Sequence, residues 1–158
     1  METFGLEDAE MNRRLVLVQS LVAQPMPKAD VSPAHVGESL FVGNKYHASD
    51  VEALRKLGVT AVLNCAPSGI RNLPLGCYQQ LGIEYEFTNV SQDAQDYPIL
   101  HTHADGARSE HLEVALAFYA KVVQAGGRAL FFCVAGQNRS ACLACAVLLT
   151  RGHTLQQV

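Results

Sequence analysis

The chain has 158 residues, enough for one domain with a full hydrophobic core, and its 49% hydrophobic and 17% charged content is ordinary for a globular protein. A formal charge of −3 and a pI near 6.0 run against nucleic-acid binding, which usually rests on a basic surplus. The five cysteines (65, 77, 133, 142 and 145) are odd in number and lack a secreted-scaffold spacing, so reduced thiols in a cytoplasmic or nuclear setting are expected.

At the N-terminus, Glu2, Glu7, Asp8 and Glu10 precede any apolar run, which fits neither a secretory signal nor a mitochondrial presequence. Within 6–23, Leu15, Val18, Leu21 and Val22 stand at helical spacing and predict an amphipathic helix. The three prolines of PMPKADVSP (25–33) predict an irregular linker, so 1–35 reads as helix plus linker and 36–158 as the folded domain. SLFVG (39–43) predicts a short strand. Ser49 with Glu52 three residues on is a capping-box signature for a helix through Val51, Leu54 and Leu57, stopped by Gly58. VTAVLN (59–64) is strand-like and ends in the turn-prone CAPSG. Ile83, Tyr85 and Phe87 alternate with Glu84, Glu86 and Thr88, predicting a strand with one wet face. The polar stretch 91–106, with Asp93, Asp96, Pro98 and Asp105, predicts a surface loop. Ser109 opens a helix through Leu112, Leu116, Tyr119 and Val123, ended by Gly126 and Gly127. Residues 129–132 predict a buried strand, and 139–150 a helix apolar on most sides and therefore central. Its apolar run, 141–149, is too short to span a bilayer, and no membrane partner is expected. Strands alternating with helices indicate an α/β domain.

The chemistry concentrates between Cys133 and Arg139. A thiol closes the last strand, five small or neutral residues follow (Val134, Ala135, Gly136, Gln137, Asn138), and a guanidinium opens the helix. A loop that turns into a helix N-terminus aims amides and the positive end of the helix dipole at an anion. The same field favours a thiolate, which is the nucleophilic form of cysteine. Arg139 can pair with two oxygens of a phosphate at once. The arrangement suits a tetrahedral dianion held just beyond the carboxyl end of a strand, where open sheets place ligands.

In order along 36–158, SLFVGN, ALRKLGVTAVLNCA, LGIEYEFTNVSQDAQDYPIL and GRALFFCVAGQNRSACLACAVLLTRGHTL resemble the cysteine-dependent dual-specificity protein phosphatases. The resemblance implies a protein tyrosine phosphatase-like fold, a central mostly parallel sheet flanked by helices. The family usually continues through another helix or two past the position of Val158, so the expectation is either a fragment or a domain without its last C-terminal helices. It implies hydrolysis of phosphotyrosine and phosphoserine or phosphothreonine on proteins, without metal or other cofactor, through Cys133 as nucleophile and a phosphocysteine intermediate. Arg139 and the amides of 134–139 would hold the equatorial oxygens, and Ser140 would donate to the departing thiolate. The family places a general acid shortly after the strand that 83–88 resembles, which falls on Asp93, with Asp96 in reserve.

One residue departs from the pattern. Phe132 stands where the family has a histidine that orders the loop and lowers the thiol pKa. Reduced activity is expected, and the rival reading is an inactive relative that captures phosphoproteins without turnover. Val134, Ala135, Gln137 and Asn138 carry no charge, which disfavours inositol lipids as substrates. The Cys-x-Ala-Gly start also resembles glucan phosphatases, against which Asn138 stands where that group prefers glycine. Cys65 reads as a small core residue, or as a disulfide partner of Cys133 under oxidation, as in some relatives. Cys142 and Cys145 fall in an apolar helix and read as packing residues. His101, His103 and His111 read as surface histidines rather than a zinc cluster. Arg151 would bind a second phosphate or pair with the C-terminal segment, and the residues do not separate the two.

Overall fold

Short apolar runs, each closed by a polar or glycine turn, build a five-stranded sheet in the computed structural model, which describes residues 32–37, 39–88, 98–102 and 105–154. In chain order the elements are β1 (Ala34–Gly37), β2 (Leu40–Asn44), α1 (Lys45–Ser49), α2 (Val51–Leu57), β3 (Ala61–Asn64), a 3-10 turn (Pro67–Gly69), α3 (Leu75–Leu81), β4 (Glu84–Phe87), α4 (Glu110–Gln124), β5 (Ala129–Cys133) and α5 (Arg139–Thr150). Strand order is β1-β2-β5-β3-β4, with β1 antiparallel to β2 and the other pairs parallel. This is the expected mostly parallel α/β sheet. The expected helix at 6–23 and the acid-loop positions Asp93 and Asp96 lie outside the described residues.

The central strands β2, β3 and β5 are buried along their whole length, as strands covered on both faces must be. Phe131 faces α4, its ring tilted against Phe118 at 6.1 Å and edge-on to Tyr119 at 6.2 Å. Leu143, Ala144, Val147 and Leu148 of α5 complete the core on the sheet. The helix is less enclosed than its composition suggests. Ala141, Cys142, Cys145 and Ala146 are only partly buried and Leu149 is exposed.

Several boundaries differ from the sequence expectation. Ser49 does not cap a helix: it is the last residue of α1 and its hydroxyl donates back to the Lys45 carbonyl at 2.8 Å. Asp50 takes the cap of α2 instead, its Oδ1 accepting from the Ala53 amide at 2.9 Å, while Glu52 pairs with Arg55. β4 keeps its wet face at Glu84 and Glu86, but Phe87 is exposed and Thr88 is buried as the chain leaves the sheet edge. In the polar stretch, Ile99 and Leu100 pack against the core, and the Ser109 amide donates to the Leu100 carbonyl at 2.9 Å. Ser109 caps α4 as expected, accepting from the Leu112 amide. β1, α1 and α3 have no counterpart in the sequence reading.

Candidate active site

The three central parallel strands end together. Asn44 is in register with Cys133, and Asn64 with Phe132, so the segments that follow β2, β3 and β5 all emerge at one carboxyl edge of the sheet. Asn64 organises its own exit: its Oδ1 accepts from the Ala66 amide at 2.9 Å and its Nδ2 donates to the Tyr85 hydroxyl at 3.1 Å. The Cys65 amide continues the ladder to the Phe132 carbonyl at 2.8 Å. Cys133 therefore sits at the end of a rigid strand with neighbours on both sides.

After Cys133 the chain curls back on its own sulfur. The Gly136 amide donates to Cys133 Sγ at 3.2 Å and the Ser140 hydroxyl at 3.3 Å. Burial pushes the thiol pKa up, but the Ser140 hydroxyl and the amides of Ser140, Gly136 and Asn138 more than offset it, and the net shift is downward. Gly136 makes the curl possible. It adopts φ +75°, and a Cβ there would fall 2.7 Å from the Gly43 carbonyl carbon and oxygen and 3.0 Å from the Asn44 amide nitrogen.

Arg139 begins α5, nearly buried, and its charge reaches Cys65, where it opposes the rise in thiol pKa caused by burial and by Cys133. Helix α5 differs from α4 at its start. Where α4 has a Ser109 cap with Glu110 and Glu113 in its first turn, α5 has neither a side-chain cap nor an acidic residue. Its first amides and the positive end of its dipole are left to the 134–138 loop and the Cys133 sulfur. Val134 packs against the 3-10 turn, since a Cβ on Gly69 would lie 3.0 Å from its Cγ2. Cys133, Arg139, Ser140 and the loop residues Val134, Ala135, Gly136, Gln137 and Asn138 are thus gathered at one place; Asp93 falls outside the described residues.

The remaining sequence candidates sort by burial. Cys65 is fully buried, and all five cysteines are free thiols. Burial, followed by Cys133, raises the Cys65 thiol well above its usual value. Cys142 also ionises late, because of burial and then Cys145, consistent with packing. His101 is exposed, its Nδ1 3.1 Å from the Gly106 carbonyl, whereas His111 is half-buried; His103 lies outside the described residues. Among the described residues no three His, Cys, Asp or Glu side chains come together as metal ligands, and no helix is long and apolar enough to cross a membrane. Arg151 lies over the Tyr119 ring, 5.5 Å from its centroid.

The sequence reading missed the turn that supports this loop. The Lys45 amide donates to the Val134 carbonyl at 3.4 Å, and Asn44 caps α1 in a reciprocal box with His47. The signal was present as an Asn with a side-chain acceptor three residues later, but the acceptor is His instead of the usual Glu or Gln.

Comparison with known proteins agrees with the geometry. The family model for the dual specificity phosphatase catalytic domain matches residues 40–156. Human dual specificity protein phosphatase 26 is 34% identical over 119 residues, covering 75% of this chain and 51% of that protein. Mouse dual specificity protein phosphatase 2 is 31% identical over 124 residues, 78% of this chain and 34% of that protein. The chain spans about half the length, or less, of these curated relatives. Among solved structures, human DUSP28 superimposes with a TM-score of 0.56 at 29% identity, covering 80% of this chain and 79% of that one. A mouse dual specificity phosphatase complexed with zinc tungstate gives 0.58 at 28% identity, covering 85% and 76%. With a family match across most of its length and a loop curled onto the Cys133 sulfur at the carboxyl edge of the sheet, the chain belongs to the dual specificity phosphatase family.

Proposed function

We propose that this domain hydrolyses phosphate monoesters on proteins, at tyrosine and at serine or threonine, through a phosphocysteine formed on Cys133. The observation that carries the reading is the convergence of the Gly136 amide and the Ser140 hydroxyl on one sulfur whose pKa is lowered despite burial. Groups that stabilise a thiolate there are placed to stabilise phosphoryl oxygens around the same centre.

In the first step Cys133 Sγ forms a bond to phosphorus as the ester P–O bond breaks, and Asp93 gives its proton to the leaving oxygen. In the second, water attacks phosphorus, its proton passes to the Asp93 carboxylate, and the S–P bond breaks to return the thiolate and inorganic phosphate. Arg139 and the loop amides hold the equatorial oxygens throughout, and Ser140 donates to the departing sulfur. The Phe132 side chain offers no hydrogen bond, which supports a slower enzyme. The uncharged Val134, Ala135, Gln137 and Asn138 favour a phosphoprotein over a highly charged lipid headgroup.

The test is turnover of p-nitrophenyl phosphate and of phosphotyrosine and phosphothreonine peptides. Wild-type activity should vanish in Cys133→Ser, and on the phosphothreonine peptide fall by about two to four orders of magnitude in Asp93→Asn. Tungstate binding without any turnover would instead favour capture of phosphoproteins. That second reading rests on Phe132, the one site position that lacks the family's donor.

A further inference from the structure

We propose that His47 is a positioning residue for the phosphate loop, acting through the Asn44 turn. This deepens the phosphatase reading and rests on it for the location of the reacting centre.

The imidazole is built into the fold rather than displayed on it. Asn44 and His47 are both buried, and the Asn44 amide donates to His47 Nδ1 at 3.0 Å. A backbone amide can only donate, so His47 Nδ1 is the acceptor in this bond. Asn44 Oδ1 closes the box by accepting from the Tyr46 and His47 amides at 2.9 and 3.0 Å. The ring also covers Gly43: a Cβ there would lie 2.8 Å from His47 Nδ1. Gly43 is in register with Phe132, so the imidazole occupies the sheet face toward which Phe132 projects.

The backbone that His47 holds is the backbone on which the loop rests. Gly136 approaches Gly43 and Asn44 so closely that even a methyl group would not fit. Next to it, the Lys45 amide donates to the Val134 carbonyl. The Gly136 amide in turn donates to Cys133 Sγ. The path from imidazole to thiolate is therefore continuous: His47, the Asn44 amide, the 43–45 backbone, Gly136, Cys133. Phe132 provides no hydrogen bond to order the loop, and His47 supplies an ordering imidazole from the neighbouring strand's turn.

The experiment uses the full chain with His47→Leu, which keeps volume and removes the acceptor, and His47→Gln, which reaches the N-cap amide as Gln does in ordinary capping boxes. Alkylation of Cys133 by iodoacetamide is followed against pH, with peptide mass mapping to separate it from exposed Cys77, and tungstate affinity is measured by calorimetry. His47→Leu should raise the Cys133 thiol pKa and weaken tungstate binding about ten-fold, and His47→Gln should restore both. A folded His47→Leu with a lower thermal midpoint but wild-type thiol pKa and tungstate affinity would overturn the proposal, because that is what a purely structural cap would show. Should His47→Leu not fold, Lys45→Pro decides. Proline is tolerated at the first helical position and removes the amide that donates to Val134, so it should raise the thiol pKa, and an unchanged value overturns the proposal. Absence of p-nitrophenyl phosphate turnover in the wild type would count against the phosphatase reading alone, since alkylation and tungstate binding read the loop directly.

Discussion

Cys133 is held between opposing influences. Burial disfavours its anion, and the Ser140 hydroxyl with the amides of Ser140, Gly136 and Asn138 favours it strongly enough to win. The sign follows for stability as well as reactivity. A thiol whose folded pKa lies below its unfolded value contributes stability above the unfolded pKa, and that contribution is lost as pH falls through the folded pKa. Two substitutions should move the titration in opposite directions. Ser140→Ala removes the largest favourable contact and should raise the thiol pKa. Phe132→His adds the imidazole the family has, and should lower the pKa and raise turnover, though a newly buried polar ring should also lower the thermal midpoint. Iodoacetamide rates against pH check both. An unchanged value in Phe132→His would mean that the amides and Ser140 already hold the thiolate without help from position 132.

At the scale of elements, the site depends on how short helices are tied to strand ends. Helix α1 has only five residues, too few to be stable alone, and is held by its Asn44 box, by the Lys45 amide on the Val134 carbonyl and by a further tertiary bond. That bond comes from α3, where the buried Tyr78 hydroxyl donates to the Ala48 carbonyl at 2.5 Å. Burial, followed by the influence of Tyr85, raises the Tyr78 phenol pKa, so it remains a donor across the ordinary pH range. Tyr78→Phe leaves a buried carbonyl without this donor and should cost about 1–3 kcal/mol. Thermal or urea unfolding measures that loss, and p-nitrophenyl phosphate turnover of the folded variant should remain. A variant as stable as wild type would show that α1 does not need the link. Helix α5 follows the reverse logic, since its uncapped first turn lowers its own stability and leaves its amides directed at the loop.

Across the whole molecule, the parallel strands and the helices packed on them form one core that fixes the carboxyl edge. Phe131 lies at its centre, fully buried against Phe118 and Tyr119. Phe131→Ala should cost about 3–5 kcal/mol. For a domain of this size that lowers the melting temperature by roughly 6–20 °C in a calorimetric scan. A drop of only a few degrees would mean that α4 collapses onto the sheet to fill the gap.

The sequence by itself determined the elements whose stability is local or whose pattern is long. The 139–150 helix, the Ser109-capped helix, the buried strand before Cys133 and the loop between Cys133 and Arg139 are all legible, because apolar periodicity, a capping residue and motif spacing need no partner to be read. The tertiary structure alone decided β1, α1 and α3, which at 4, 5 and 7 residues are too short for periodicity and exist only through their neighbours. It also decided that Asp50 rather than Ser49 caps α2, and that His47, silent as an isolated histidine, lies against Gly43, on which the Gly136 turn rests. The physical reason is shared. A cap or periodic face is a property of residues adjacent in sequence, whereas the support for Cys133 crosses from β5 to the turn after β2, about ninety residues earlier in the chain, and only the closing of the parallel sheet brings the two together.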